Sequence, residues 1–287
     1  MNVKGFVRKC GEAVLCAAAV GVSLAADGVL KVGVSDPLAK HCACSCVGDA
    51  AKREYEGWKA KVEKDCGVKL ELVYFMEDAE LADALKKADF DMVVAKATVL
   101  DGASRAAGKE FVRLADLQMP AGQEEGLWGE FVVLKDSPVK SVADLKGKRV
   151  VFGPLLAVEK EAAPKAALAK AGIAEGDVVP SEQHSCKSAI VELLEGRADA
   201  AVISSYAAQY GCMVVVAAPG DVRAVGRTGV FPFITFAASG KLDAPLREKL
   251  AKSMLEMKGS QVPADMMSKG VVAPEALPGA AGREPGR

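Results

Sequence analysis

The chain has 287 residues, of which 51% are hydrophobic and 26% charged, a composition typical of a globular protein. Its 37 Lys and Arg residues nearly balance its 38 Asp and Glu residues, so a formal net charge of -1 gives no basic field for nucleic acid or an anionic membrane. Aromatic residues make up only 5% of the chain, which argues against a base-stacking surface and against an aromatic-lined sugar site.

The N-terminus has the features of an export signal. Three basic residues lie within positions 4–9, an apolar run follows at 13–22, and residues 23–25 place small side chains at the cleavage positions. The apolar run is short for a transmembrane helix, although a short membrane anchor is the alternative. We therefore predict a signal peptide over residues 1–26 and a mature protein that is periplasmic or otherwise extracytoplasmic.

Short apolar strands alternate with helical patterns in the next hundred residues. The predicted strands are 29–34, 70–75 and 91–95, and the predicted helices are 50–64 and 78–88. This order, βαβαβ, implies a parallel sheet covered by helices.

The same pattern restarts near residue 130. The predicted strands are 131–134, 149–152, 178–179, 200–203, 214–217 and 233–237, and the predicted helices are 159–171, 188–194 and 246–257. In the simplest assembly the late segment returns to complete the first lobe. The predicted division is lobe 1 over 27–127, lobe 2 over 128–212, a return to lobe 1 over 213–272, and a disordered tail rich in Pro, Gly and Ala over 273–287.

Three motifs occur in an order that resembles one family. Residues 132–150, VVLKDSPVKSVADLKGKRV, resemble the start of the second lobe in the phosphate/phosphite/phosphonate-type substrate-binding proteins of ABC transporters. Residues 184–205 are similar to the family's His-led helix, which a Gly-x-x-Asp-Ala turn connects to a strand, and residues 90–94 are similar to its first-lobe strand. The resemblance covers most of residues 28–257.

The resemblance implies an α/β fold of the two-lobed periplasmic-binding-protein class (type II, venus-flytrap), in which each lobe is a mainly parallel sheet flanked by helices. It also implies that a small ligand is captured between the lobes and delivered to a membrane ABC permease. A ligand-sensing domain that partners a membrane histidine kinase uses the same lobes and is the alternative.

The family's usual ligand does not transfer with the fold. In phosphonate binders, a loop rich in Ser, Thr and Gly follows the equivalent of residues 152–153 and binds the anion. Here residues 154–161, PLLAVEKE, contain no hydroxyl, and Glu159 and Glu161 are expected to repel a phosphonate near a helix start. The family's acidic residue after the late strand is also replaced, by the two serines at 204–205.

A cluster of cysteines is the most unusual segment. Residues 41–46, HCACSC, follow the first strand at its carboxyl end, where this architecture places its cleft. Thiolates beside an imidazole suit Cu, Zn or the metalloid As(III). The resemblance places His184 at the cleft, so a site closed by sulfur from both lobes, including Cys186, would couple binding to lobe closure. The candidate metal ligands are Cys42, Cys44, Cys46 and His184.

Disulfides are the main alternative role for these cysteines. Six cysteines follow the signal, and an even number in an exported chain favours disulfides: Cys42, Cys44, Cys46, Cys66, Cys186 and Cys212. Three cysteines within five residues are unusual spacing for a disulfide framework, so both readings stay open. A thiol redox protein is a further alternative.

An enzyme is not expected. No Ser-His-Asp order with supporting motifs and no phosphate-loop signature is present, and the chain has only two histidines. We therefore predict a binding protein with no catalytic residues. The predicted ligand-binding residues are His41, Cys42, Cys44, Cys46, His184, Cys186, Ser204 and Tyr206.

Overall fold

A computed structural model describes residues 28–42, 47, 52–124, 126–209, 216–257 and 261–278, which form two α/β lobes. The predicted signal peptide and the end of the predicted tail lie outside these residues. None of the described helices is long and apolar enough to cross a bilayer.

The two lobes are built from eleven strands and eight α-helices within the described residues. The strands are β1 (Val29–Ser35), β2 (Lys69–Tyr74), β3 (Met92–Lys96), β4 (Phe111–Leu117), β5 (Gly129–Leu134), β6 (Arg149–Phe152), β7 (Val179–Glu182), β8 (Ala200–Ser204), β9 (Val222–Arg227), β10 (Ile234–Ser239) and β11 (Val271–Val272). The helices are α1 (Glu56–Cys66), α2 (Asp78–Lys87), α3 (Ala97–Ala106), α4 (Ala162–Lys170), α5 (Cys186–Leu194), α6 (Ser205–Gln209), α7 (Ala244–Leu255) and α8 (Gln261–Asp265).

The first lobe contains a six-stranded sheet in the order β11-β4-β10-β3-β1-β2. Strand β1 pairs in parallel with β2 and β3, as the βαβαβ pattern predicts. Every residue of β3 is buried, which is typical of a strand covered by helices on both faces. The sheet is mixed, however, because β10 enters it antiparallel to both β3 and β4.

The second lobe contains a five-stranded sheet in the order β7-β6-β8-β5-β9. It is also mixed, since β6 pairs in parallel with β7 and β8 whereas β5 runs antiparallel to β8 and β9. Strand β9 corrects the predicted division, because residues 222–227 belong to the second sheet and the return to the first lobe follows them. No residue of this edge strand is fully buried, so it lacks the apolar run that would have revealed it.

The two chain segments that connect the lobes run side by side. The Leu127 amide donates to the Phe231 carbonyl at 2.7 Å, and the Phe231 amide donates back at 2.8 Å. A paired connection of two short segments allows the lobes to rotate relative to each other while the sheets remain intact.

Two helix boundaries differ from the sequence prediction near the lobe interface. The helix predicted at 50–64 begins at Glu56, and its proposed cap, Asp49, lies outside the described residues. The helix predicted at 159–171 begins at Ala162, so residues 159–161 form a turn before it. This second shift changes the chemistry of the cleft.

Candidate ligand-binding cleft

A cavity of about 640 Å³ lies between the two lobes. Its first-lobe wall follows the ends of β1, β2 and β3, and its second-lobe wall follows the ends of β6, β7 and β8. Carboxyl ends of strands are where open α/β sheets bind their ligands. The lining residues are Ser35, Pro37, residues 76–79 and Lys96 from the first lobe, and residues 154–157, Lys160, residues 184–186 and Tyr206 from the second.

A buried ion cluster joins the lobes at this cavity. The Lys96 ammonium lies 2.7 Å from an Asp78 carboxylate oxygen of the first lobe and 3.4 Å from a Glu159 carboxylate oxygen of the second. The Ser204 hydroxyl donates to the same Glu159 oxygen at 2.8 Å. The Lys96 and Glu159 side chains are 4% and 0% exposed, so each charge depends on these partners.

The surroundings of Lys96 and Glu159 favour the charged form of each. Burial opposes ionisation of Lys96, but the charges of Asp78 and Glu159 outweigh it and raise the pKa of Lys96 well above its ordinary value. Burial likewise opposes ionisation of Glu159, but Lys96, Lys160 and the Ser204 hydroxyl together hold the pKa of Glu159 below its ordinary value. The positive charge of Lys96 is therefore already compensated by two carboxylates.

Lys160 differs from Lys96 because no carboxylate pairs with its ammonium directly among the described residues. The residue is only 5% exposed and lines the cavity, yet its ammonium has no hydrogen-bond or ion-pair partner within 4 Å among the described residues. Its stem packs over Gly153, where a Cβ atom would lie 2.6 Å from the Lys160 Cβ. The absence of a side chain at Gly153 thus leaves room for Lys160 in the cleft wall.

The carboxylates on either side of Lys160 do not oppose an anion as the sequence predicted. Glu159 turns into the ion cluster and is absent from the cavity lining, and Glu161 accepts an ion pair from Lys165 at 2.6 Å. The expected repulsion of an anion by these two residues is therefore wrong. The reason is a tertiary contact. The Glu159 carbonyl packs against Gly129, where a Cβ would lie only 1.8 Å away, so residues 159–161 form a turn and α4 starts after it.

The N-terminus of α5 adds a favourable dipole to the same wall. Ser185 caps this helix by accepting a hydrogen bond from the Ser188 amide at 3.0 Å, and the first turn contains no acidic residue. Residues 184–186 line the cavity, so the positive end of the helix dipole faces it. On the opposite wall, the first turn of α2 already contains Asp78 and Glu80.

Apolar side chains border the cavity where it meets solvent. Met76 of the first lobe is 60% exposed and Leu155 of the second is 75% exposed, although both are large and apolar. Pro37, Pro154 and Leu156 also line the cavity. The cleft therefore combines the Lys160 ammonium, which has no ion-pair partner among the described residues, with an apolar rim.

The predicted cysteine site is only partly within the described residues. His41 is exposed, and its ring centroid lies 5.0 Å from that of Tyr74. Cys42 is buried and its thiol donates to the Asp36 carbonyl at 3.3 Å, while burial raises the pKa of Cys42 to about 12. Neither residue lines the cavity. Cys44, Cys46 and Cys212 lie outside the described residues, so their roles stay predictions.

The other predicted site residues are close to the cleft. His184, Cys186 and Tyr206 line the cavity, and Ser204 lies behind it, where it holds Glu159. No group of three or more His, Cys, Asp or Glu side chains suits a metal ion among the described residues, and no disulfide joins Cys42, Cys66 or Cys186 to one another.

A sequence profile for the periplasmic phosphonate substrate-binding proteins of ABC transporters matches residues 48–276. The chain belongs to this family. The resemblance predicted from its motifs is confirmed, and members of the family are extracytoplasmic receptors that pass small molecules to a membrane permease. No curated protein matches the sequence.

Solved structures confirm the fold of this substrate-binding protein. XAC2383 from Xanthomonas citri, solved with chloride, is 16% identical and superposes with a TM-score of 0.65 over 87% of this chain and 92% of its own. PhnD1 from Prochlorococcus marinus, solved with methylphosphonate, is 16% identical, with a TM-score of 0.63 over 87% and 93%. The aliphatic sulphonate binding protein SsuA from Escherichia coli is 19% identical, with a TM-score of 0.53 over 77% and 67%.

Sequence reasoning missed the three charged residues that define the cleft of this binding protein. Asp78 was assigned only to a helix start, and Lys96 ends the apolar strand β3 without having been considered. A lysine at the carboxyl end of a fully buried strand is a usable signal, because burial of an ammonium requires a partner. Lys160 was overlooked because its neighbours, Glu159 and Glu161, indicated a loop that would repel an anion.

Proposed function

We propose that this protein captures a small organic oxyanion between its lobes and delivers it to the permease of an ABC importer. One observation carries the proposal: Lys160 is only 5% exposed and lines the interlobe cavity, and its ammonium has no hydrogen-bond or ion-pair partner among the described residues. A largely buried lysine without a direct partner favours an anion beside it, and an anionic ligand in the cavity would supply one.

The surroundings of Lys160 define the class of ligand. The oxyanion is expected between Lys160 and the N-terminus of α5, where backbone amides and the helix dipole favour a negative group. The apolar rim at Met76 and Leu155 favours an alkyl substituent. Structural relatives solved with methylphosphonate or named for sulphonate binding support an oxyanion of this kind.

The receptor role follows from the family. Because its members serve ABC transporters, we propose a permease as the membrane partner in preference to a histidine kinase. Neither role requires catalysis, and contacts with a ligand are enough to explain the arrangement of the cleft residues.

Calorimetric titration with short alkylsulfonates and alkylphosphonates tests the proposal. We expect the wild-type chain to bind at least one of them, and Lys160→Gln to weaken binding at least about tenfold through loss of a buried charge pair. Lys165→Gln is the matched control, since this nearby lysine pairs with Glu161 outside the cavity. Equal affinity in Lys160→Gln and wild type would contradict the proposal.

A thiophilic metal or metalloid is a second candidate ligand, favoured by one observation. His184 and Cys186 lie together on the cavity wall, so the second lobe could supply a nitrogen and a sulfur ligand. Elemental analysis of protein purified under reducing conditions tests this. Bound Cu, Zn or As that disappears in a His184→Ala, Cys186→Ser variant is the expected result, and unchanged metal content in that variant excludes this pair. The same measurement on a Cys42→Ser, Cys44→Ser, Cys46→Ser variant tests the cysteine cluster.

A further inference from the structure

We infer that the cleft selects ligands whose head group carries a single negative charge, such as a sulfonate, a carboxylate or a singly protonated phosphonate, over dianions. This inference rests on the proposed oxyanion function and specifies the charge of its ligand. The argument depends on how many cations and carboxylates the described cleft presents.

The cleft offers one cation for a ligand. Lys160 and Lys96 are the lysines that line it, and it contains no arginine among the described lining residues. Lys96 is held between Asp78 at 2.7 Å and Glu159 at 3.4 Å, so its charge is already matched. Only Lys160 can therefore neutralise the head group of a ligand.

The opposite wall repels a second negative charge. Asp78 lines the cavity with its side chain 19% exposed, and the neighbouring Glu77 is exposed and also lines the cavity. The cluster formed by Lys96, Asp78 and Glu159 carries a net charge of about -1, so together with Lys160 these groups sum to about zero. A monoanion paired with Lys160 leaves a net charge of about -1, whereas a dianion leaves about -2 and finds no second free cation to pair with.

The excess negative charge weakens binding more than it would in bulk water, because Lys96, Glu159 and Lys160 are largely buried. Interactions between charges a few ångströms apart are several times stronger at the effective dielectric constant of a partly buried site than in water. We therefore expect the dianion to bind at least about tenfold more weakly than a monoanion of the same shape.

A matched pair of ligands separates the effect of head-group charge on affinity from the effect of ligand shape. Propylphosphonate changes from a monoanion to a dianion around neutral pH, whereas propanesulfonate stays a monoanion. Each is titrated into the full chain at about pH 5.5 and about pH 9.5. We expect propanesulfonate affinity to change less than about threefold, and propylphosphonate affinity to fall at least about fivefold at the higher pH, where nearly all of it is the dianion. The sulfonate also reports any titration of the protein itself.

The outcomes distinguish the two proposals. If neither ligand binds, the oxyanion function fails and this inference fails with it. If both bind but the phosphonate is as tight or tighter at the higher pH, the oxyanion function stands and selection for one charge is overturned.

Asp78→Asn tests the cause of the selection. The amide keeps the shape of the side chain but removes a carboxylate from the wall and frees part of the Lys96 charge. We expect the phosphonate-to-sulfonate affinity ratio at the higher pH to rise about tenfold. Asp83→Asn, on the exposed face of the same helix, is the control and should leave the ratio unchanged. An unchanged ratio in both Asp78→Asn and the exposed Glu77→Gln would overturn the charge argument.

Discussion

Lys96 ends strand β3 with an ammonium group that water barely reaches. Two carboxylates from different lobes compensate it, so removing it leaves Asp78 and Glu159 without their common partner. We expect Lys96→Met to lower the free energy of unfolding by about 3–5 kcal/mol, measured by urea denaturation. The control is Lys241→Met, whose ion pair with Asp89 is largely exposed and should contribute less than about 1 kcal/mol.

The same cluster makes a prediction about pH. The folded-state pKa of Glu159 lies below its ordinary value of 4.5, so its stabilising contribution is present above that value and is lost as pH falls through the folded-state pKa. In Lys96→Met, burial instead favours the neutral acid. The destabilisation by Lys96→Met is therefore expected to shrink between about pH 7 and about pH 4, measured as the difference in unfolding free energy. A difference that grows on acidification would contradict this account.

Cys42 is predicted to be unreactive in the folded protein. Burial raises its pKa to about 12, so the thiolate that reacts with iodoacetamide is scarce at neutral pH. We expect peptide mass spectrometry to find Cys42 unmodified in the native protein and fully alkylated in urea. Rapid native alkylation of Cys42 would favour the thiol redox alternative or a thiolate metal ligand, and would show that the buried environment does not persist in solution.

The turn at residues 159–161 depends on a glycine in a different element. A Cβ at Gly129, in strand β5, would lie 1.8 Å from the Glu159 carbonyl oxygen, so an alanine there has to displace the turn. We expect Gly129→Ala to lower the unfolding free energy by about 1–3 kcal/mol and also to weaken anion binding, because Lys160 follows Glu159 directly. Thermal unfolding and calorimetry measure the two effects.

Gly176→Ala is the control for that substitution. Its added Cβ meets no heavy atom within 4 Å, so stability should stay within about 0.5 kcal/mol of wild type. If Gly129→Ala binds the ligand as wild type does, the turn does not position Lys160.

Strands and helices were predictable from the sequence where their hydrophobic pattern was strong. The fully buried β3 and the amphipathic α2 occupy nearly the positions that periodicity predicts. No strand was predicted at residues 222–227, and they were included in the return to lobe 1, because half-buried residues give no clear period. The start of α4 was placed three residues early because the contact of Glu159 with Gly129 joins positions thirty residues apart, and local propensity contains no information about it.

At the scale of the whole molecule, the order of three motifs was enough to predict the family and the two-lobed fold. The charge balance of the cleft was not predictable in this way. It depends on which carboxylate faces Lys96 and which lysine lacks a partner, and both depend on how the two lobes meet. The sequence motifs were therefore informative about the scaffold and much less so about the ligand.

Lobe closure over the ligand is the last expectation. The paired segments at Leu127 and Phe231 allow rotation, and Met76 and Leu155 expose large apolar side chains on opposite sides of the cavity. Closure would bury both side chains, which is favourable at roughly 25 cal/mol per Å². We expect a saturating ligand to reduce the radius of gyration in small-angle X-ray scattering.

Leu155→Ser tests whether that apolar contact contributes to closure. Because Leu155 is 75% exposed, the substitution should change the unfolding free energy by less than about 0.5 kcal/mol. Ligand affinity should nevertheless fall about threefold to tenfold, since the contact forms only on closure. Val179→Ser, 58% exposed on edge strand β7 and outside the cavity, is the control. If both variants bind as tightly as wild type, Leu155 does not take part in closure and the energy of binding comes from the charged wall alone.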